Sequence, residues 1–253
     1  MKMKQRNHMH LFNLFNIPFI NGDYQNAYDK LVKGQFMVVP SGPGLSTIDK
    51  EEKYWNALKG ADFAIPDSGL MIILARLFFN LKIKKLSGPK FMRLFLKEEV
   101  LKKQGVLFSV DPSEQESKVN NKYLNDVGVN IGKTNHYVSP FYDKKDISDE
   151  KLIEILESLE IRPKFLLLNL GGGVQERLGF YIKKNLSYKI GVICTGAAIA
   201  FETGQQARLP KWLDDLYLGW LVRIFQNPKQ FSKRYFNAFR LVYVFYLCKI
   251  NKL

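Results

Sequence analysis

Residues 163–176 read Pro163-Lys164-Phe165-Leu166-Leu167-Leu168-Asn169-Leu170-Gly171-Gly172-Gly173-Val174-Gln175-Glu176. Phe165 to Leu170 is an apolar run bounded by Pro163 and Gly171, the pattern of a central parallel strand buried on both faces. The glycines then turn the chain into a helix predicted from Val174 to Lys184. Glycine after a strand lets backbone approach a phosphate, and a helix N-terminus favours an anion. The stretch is neither a dinucleotide fingerprint nor a P-loop, since it lacks the third spaced glycine of one and the Gly-Lys-Ser/Thr of the other. Its blander reading is a tight strand-to-helix turn. Glu176, in the first helical turn, opposes a phosphate unless it points at a ribose or sugar hydroxyl.

Outward from this run, strand and helix alternate. Ile190 to Cys194 is a further strand; upstream, Val106 to Val110 is a strand and Asp111-Pro112-Ser113-Glu114 opens a helix. Val127 to Ile131 reads as a strand, Lys133 to Ser139 is ambiguous, and Ser148 to Leu159 is an amphipathic helix. In the first half, Asn21-Gly22 is a turn and Asp23 to Lys33 a helix. Phe36 to Val39 is a strand, and Pro40-Ser41-Gly42-Pro43-Gly44 a loop. A helix capped by Thr47 or Asp49 runs to about Lys59, followed by a strand from Asp62 to Ile65 and an apolar helix from Leu70 to Phe79. Pro89 opens a helix reaching Lys103. The alternation predicts an α/β sheet with right-handed crossovers.

The chain has 253 residues, of which 46% are apolar and 13% aromatic, so a sizeable core is available and disorder is excluded. Two cysteines, Cys194 and Cys248, exclude a disulfide scaffold and are expected as reduced thiols in a cytoplasmic protein. Of three histidines, His8 and His10 lie in the N-terminal tail and only His136 in the body, which argues against a histidine zinc site. The apolar stretches Ile190 to Phe201 and Leu241 to Cys248 are too short for the ~18 residues that span a bilayer. Asn13, Asn16 and Pro18 interrupt what would be a signal core after Lys2, Lys4 and Arg6, so the protein is expected to be neither secreted nor transmembrane.

The net charge is +14, and half of it (+7) lies between Gln205 and Leu253, where nine basic residues meet two acids among eleven aromatic ones. Such a tail lies on an anionic membrane, binds nucleic-acid phosphates, or packs as solvated helices on the body. The aromatic density favours the membrane, and no recognisable nucleic-acid module is present, so no nucleic-acid partner is expected.

Two features bear on chemistry. Ile65-Pro66-Asp67-Ser68-Gly69 lies where a strand ends and a helix begins. Ligands of open α/β sheets gather there, and a lone carboxylate can take a proton from an attacking hydroxyl; alternatively Asp67 merely caps the helix. The second feature is an absence. The chain has no Asp-x-Asp pair to hold a divalent metal, so a leaving diphosphate would need cations or backbone N–H groups.

Together these residues resemble the WecG/TagA/CpsF family of glycosyltransferases. The landmarks are Ala61-Asp62-x-x-Ile65-Pro66-Asp67, Leu86-Ser87-Gly88, the strand Phe165–Leu170 with Gly171 and Gln175-Glu176, and the Gly191/Gly196 segment. Thr203-Gly204, Arg208-x-Pro210, Leu218-x-Trp220-Leu221-x-x-Arg223 and Asn227-Pro228 follow, and the match runs roughly from Asn16 to Phe236. The resemblance implies a Rossmann-like catalytic domain over residues 1–204, with a mostly parallel sheet flanked by helices. A basic helical appendage over 205–253 would associate with the membrane and complete the active site. It implies inverting, metal-independent transfer from a UDP-sugar to a polyprenyl-diphosphate-linked saccharide at the inner membrane face, in capsule, exopolysaccharide or wall-polymer synthesis, with no cofactor. Asp67 would be the general base; Arg223 and Lys233, with Arg234, would close over the diphosphate. Gly171, Gly172, Gly173, Gln175, Glu176, Gly196 and Arg208 would contact substrate. A homo-oligomer is left open.

The chain also departs from the family pattern. A Thr-x-Asn-type loop is here Pro40–Gly44, Pro-Lys before Gln-Glu is Gly173-Val174, the acid of a Gly-Gly-Ser-Phe-Asp segment is Ala200, and a Glu near Trp220 is Gly219. These departures mark a divergent branch. They also admit a rival reading, a non-catalytic membrane-associated interaction protein on a degenerate glycosyltransferase fold.

Overall fold

The computed structural model describes residues 10–143, 147–196, 198–204 and 236–251. Its described strands form one sheet in the spatial order β1-β2-β4-β3-β8-β7-β5-β6. These are β1 (His10–Leu14), β2 (Ile17–Asn21), β3 (Phe36–Val38), β4 (Phe63–Ala64), β5 (Leu107–Asp111), β6 (His136–Val138), β7 (Phe165–Leu168) and β8 (Gly191–Cys194). Every pairing is parallel except β1 with β2. The expected α/β, Rossmann-like class is therefore the observed one.

Strand side chains alternate between two apolar layers. Phe36, Val38, Phe108, Val110, Leu166, Leu168, Val192 and Cys194 face the first layer. It is covered by α3 (Glu52–Lys59), α4 (Gly69–Phe79), α7 (Glu150–Ser158), α8 (Val174–Asn185) and α10 (Leu241–Lys249). Met37, Leu107, Phe165, Leu167 and Ile193 face the second, under α1 (Tyr24–Val32), α5 (Gly88–Phe95), α6 (Glu114–Asp126) and α9 (Ala198–Glu202). Helices change layer when the chain reverses its direction across the sheet, as right-handed crossovers require. Local chemistry starts these helices: Asp23, Ser68, Ser87, Ser113 and Asp149 each accept from an N–H of the first turn.

Several expectations are corrected. The N-terminal segment forms a hairpin, turned by Phe15 and Asn16 with φ of 57° and 58°. Pro40–Gly44 is not irregular throughout: Ser41 caps one turn, α2 (Gly42–Leu45), and Pro43 occupies a first-turn position where its missing N–H costs nothing. Neither Thr47 nor Asp49 caps α3, which starts after Glu51 without a side-chain cap. Val127–Ile131 is no strand. Gly128 turns the chain at φ +86°, Val129 and Ile131 anchor it under the second layer, and the ambiguous segment supplies β6 instead. The helix from Pro89 ends at Phe95, and a 3-10 turn spans Glu99–Lys102.

Of the appendage, residues 236–251 are described. Leu241, Val244 and Phe245 are fully buried in the first layer, where the Phe245 ring meets those of Phe15, Phe78 and Phe79. Arg240 donates to both carboxylate oxygens of Asp49 and to the Ser46 carbonyl, clamping the start of α10 to the connection after α2.

Candidate active site

The parallel strands end on one rim, and the sequence-predicted residues that are described lie along it. Beyond β4, Ile65 donates to the Val38 carbonyl and keeps the chain extended, and the Asp67 N–H turns back to the Ile65 carbonyl. Ser68, not Asp67, caps α4, its Oγ accepting from the Met71 N–H at 3.2 Å. Asp67 is half-buried, and its Oδ1 accepts from the Gly88 N–H at 3.0 Å. Its Oδ2 takes no hydrogen bond among the described residues. One oxygen is thus fixed by backbone while the other keeps its lone pairs for a proton donor.

Gly88 is the hub of this half of the site. A Cβ there would lie 3.6 Å from Val39 Cγ1, 3.7 Å from the Thr195 carbonyl and 3.9 Å from Ala198 Cβ. The start of α5 therefore rests on the ends of β3 and β8 while holding the Asp67 carboxylate. From Thr195 the chain of contacts continues to the glycine loop. The Gly196 N–H donates to Gln175 Oε1 at 2.7 Å, Gln175 Nε2 donates to Glu176 Oε1 at 3.0 Å, and the Gly173 N–H donates to Glu176 Oε2 at 2.6 Å. The structure thus links Asp67, Gly88, Gly196 and the Gly171–Glu176 loop along four adjacent strands.

Within that loop the roles divide. Gly171 and Gly172 are exposed, and a Cβ on either would meet nothing within 4 Å. Gly173 adopts φ +87°. Gln175 and Glu176 are buried, and Glu176 closes a cap on its own helix. The expectation that Glu176 faces a ribose or sugar is corrected: both its oxygens are engaged inside the protein. Burial pushes its carboxyl above the ordinary range, against the opposing pull of these hydrogen bonds. Gln175 likewise buttresses Gly196. Arg208, Arg223, Lys233 and Arg234 lie outside the described residues.

One cluster escaped the sequence reading. Asp111, fully buried at the end of β5, accepts from Asn120 Nδ2 (2.7 Å), Asn169 Nδ2 (2.8 Å) and Ser109 Oγ (3.0 Å). The signal was present: Ser109 and Asp111 alternate on an otherwise apolar strand, and Asn169 interrupts the run that fixed the fold. Among the described residues no group of three His, Cys, Asp or Glu side chains could hold a metal, and no helix is long and apolar enough to cross a membrane.

Comparison with known proteins bears on this rim. The Glycosyl transferase WecG/TagA/CpsF family matches residues 12–253. The N-acetylglucosaminyldiphosphoundecaprenol N-acetyl-beta-D-mannosaminyltransferase of Bacillus subtilis (strain 168) is 23% identical over 244 residues, covering 87% of this chain and 85% of that protein.

Proposed function

The chain belongs to the WecG/TagA/CpsF family of glycosyltransferases, and from that premise we propose that it transfers a sugar from a UDP-sugar to a polyprenyl-diphosphate-linked saccharide, with inversion and with Asp67 as general base. The observation that carries the proposal is the Asp67 carboxylate, held at the rim through one oxygen, with the other unengaged among the described residues. The acceptor hydroxyl gives its proton to Asp67 Oδ2 as its oxygen bonds to the anomeric carbon. The bond from that carbon to the diphosphate breaks on the opposite face, and UDP leaves with the electron pair. Asp67 afterwards returns the proton to water. Arg223, Lys233 and Arg234 offset the charge on the departing diphosphate, with Arg208 on the donor as well. Gly171 and Gly172 give the donor close access to backbone; Gly173, Gln175, Glu176 and Gly196 hold that loop in shape.

The Bacillus relative's name supplies the first pair to test: an N-acetylmannosamine donor and an N-acetylglucosaminyl-diphosphate lipid acceptor. Residues 1–204 form the catalytic part and 205–253 the appendage. Peripheral attachment to an anionic membrane is supported by the outer faces of α4 and α10, which pack on each other. They expose Leu77 (72%), Tyr243 and Tyr246 along with the cations Arg76 and Lys249, and Phe236 (78%) is exposed in the turn before α10. The test is transfer by the purified full chain on vesicles carrying that acceptor. Asp67→Asn is expected to lower kcat by ~10²–10⁴ with the fold intact, the scale of a lost general base. Wild-type turnover in that variant overturns the assignment.

A further inference from the structure

The cluster around Asp111 has a direction built into it. A carboxylate can only accept, so the Ser109 hydroxyl must donate to Asp111 Oδ2, leaving Ser109 Oγ to accept from Asn169 Nδ2 at 3.1 Å. The second Asn169 N–H goes to Asp111 Oδ1. Both hydrogens of this amide are therefore committed to β5, and a flip would set its oxygen against a carboxylate. By the geometry of a planar amide, Asn169 Oδ1 points away from them. Among the described residues that atom is buried without a hydrogen-bond partner, and Asn169 is only 6% exposed. On the neighbouring strand end, the Thr195 hydroxyl is also buried and has no partner among the described residues. A buried acceptor left unmet carries a desolvation cost that a donor on a bound ligand removes.

The position says which part of a ligand arrives there. Asn169 follows β7 and Asp67 follows β4, with β3 and β8 between them. Three inter-strand steps of about 4.8 Å place the two roughly 14 Å apart across the rim. That separation suits an extended nucleoside diphosphate sugar, with the sugar at Asp67, the diphosphate over Gly88, Thr195 and Gly196, and the base at the far end. The open surface of Gly171 and Gly172 follows Asn169 by two residues.

We propose that Asn169, oriented by Asp111, reads the base of the donor nucleotide, its amide oxygen accepting the imide N–H of a uracil-type ring. The inference rests on the donor reading above and deepens it. A cytosine ring presents a lone pair where uracil presents N3–H, so a fixed acceptor attracts one and repels the other. Asn169 is the specificity-determining residue and Asp111 a positioning residue that acts through it.

Calorimetry on the full-length protein with UDP, CDP and inorganic diphosphate tests this. The wild type should bind UDP at least tenfold more tightly than CDP. Asn169→Ala should weaken UDP about tenfold, leave diphosphate unchanged and bind CDP at least as tightly as the wild type does. Asp111→Asn, which keeps the shape but lets the Asn169 amide flip, should collapse the same UDP/CDP ratio. A wild type that binds UDP and CDP equally overturns the inference, as do folded variants that keep the wild-type ratio or weaken both nucleotides in parallel. If the wild type binds no nucleotide at millimolar concentration, the donor reading itself fails and this inference falls with it.

Discussion

Phe245→Ala should detach the end of the chain without unfolding the rest. Phe245 is fully buried, with its ring centroid 4.9 Å from that of Phe15 in an edge contact, 5.7 Å from Phe78 and 6.0 Å from Phe79. Truncating a buried Phe to Ala costs about 3–5 kcal/mol. That rivals what the α10 seam gains from its three fully buried side chains, Leu241, Val244 and Phe245, at about 1.5–3 kcal/mol each. A nine-residue helix does not persist alone in water. The helix should therefore lift off locally, leaving the sheet and its other layers folded. Native-state hydrogen exchange reads this directly. Amides in 241–249 should exchange about 10²–10⁴-fold faster, the factor that 3–5 kcal/mol implies, while β5, β7 and β8 stay protected. Phe236→Ala, at an exposed position, is the control and should change nothing. If protection in α10 is kept while the whole protein loses stability, the helix is part of one cooperative unit and the reasoning is wrong.

Other expectations follow from the rim. Gly172→Ala should leave the melting temperature unchanged and raise the KM for donor, since its Cβ meets no atom of the described residues within 4 Å but stands where the proposal places the donor. Gly173→Ala should instead destabilise the fold by roughly 1–3 kcal/mol, because φ +87° is strained for any side chain; equal melting temperatures for the two variants would contradict this. Glu176 is an acid whose folded pKa is raised by burial, so the native state holds its proton more tightly than the unfolded chain does. Its contribution to stability should be present at low pH and lost as pH rises from the ordinary value of 4.5 through the raised one. Urea titrations across that window should show a slope in the wild type that Glu176→Gln flattens. Leu77→Glu should abolish co-sedimentation with anionic vesicles while the melting temperature holds, and undiminished co-sedimentation would remove α4 from the membrane face.

What was legible in the sequence followed from burial. Phe36–Val38, Leu107–Asp111, Phe165–Leu168 and Gly191–Cys194 read as strands because both faces of a central parallel strand are covered, which leaves apolar runs. Where tertiary partners or rare backbone angles decide, the reading fails. The hairpin at Phe15-Asn16 has no glycine to announce two positive φ values, and the three-residue β6 is too short for periodicity to emerge. Asp49 reads as a cap until Arg240, 191 residues later, appears as its partner. The site shows the same division. Asp67 stood out by its place between a strand and a helix, with helix capping as the alternative and the base role implied by the family resemblance; in the structure Ser68 takes the capping role. Asp111 and Asn169 were missed because a single polar residue in an apolar run looks incidental until its partner, 58 residues away, is beside it.

On the proposed reading, the rim must keep a base and a diphosphate side by side. A free acid near the phosphates would repel them, yet a base must stay ionised and reachable. The protein separates these demands by hydrogen bonding. Glu176 spends both oxygens on Gly173 and Gln175, and Asp111 spends both on Ser109, Asn120 and Asn169, so neither presents a lone carboxylate to the cleft. Among the described residues, Asp67 is held by a single backbone N–H. That arrangement positions the carboxyl without satisfying it, and in the proposed reaction the acceptor hydroxyl supplies the missing partner. Adding a second donor at Asp67 should therefore slow the enzyme even where it improves order, because a carboxylate stabilised on both oxygens is a weaker base.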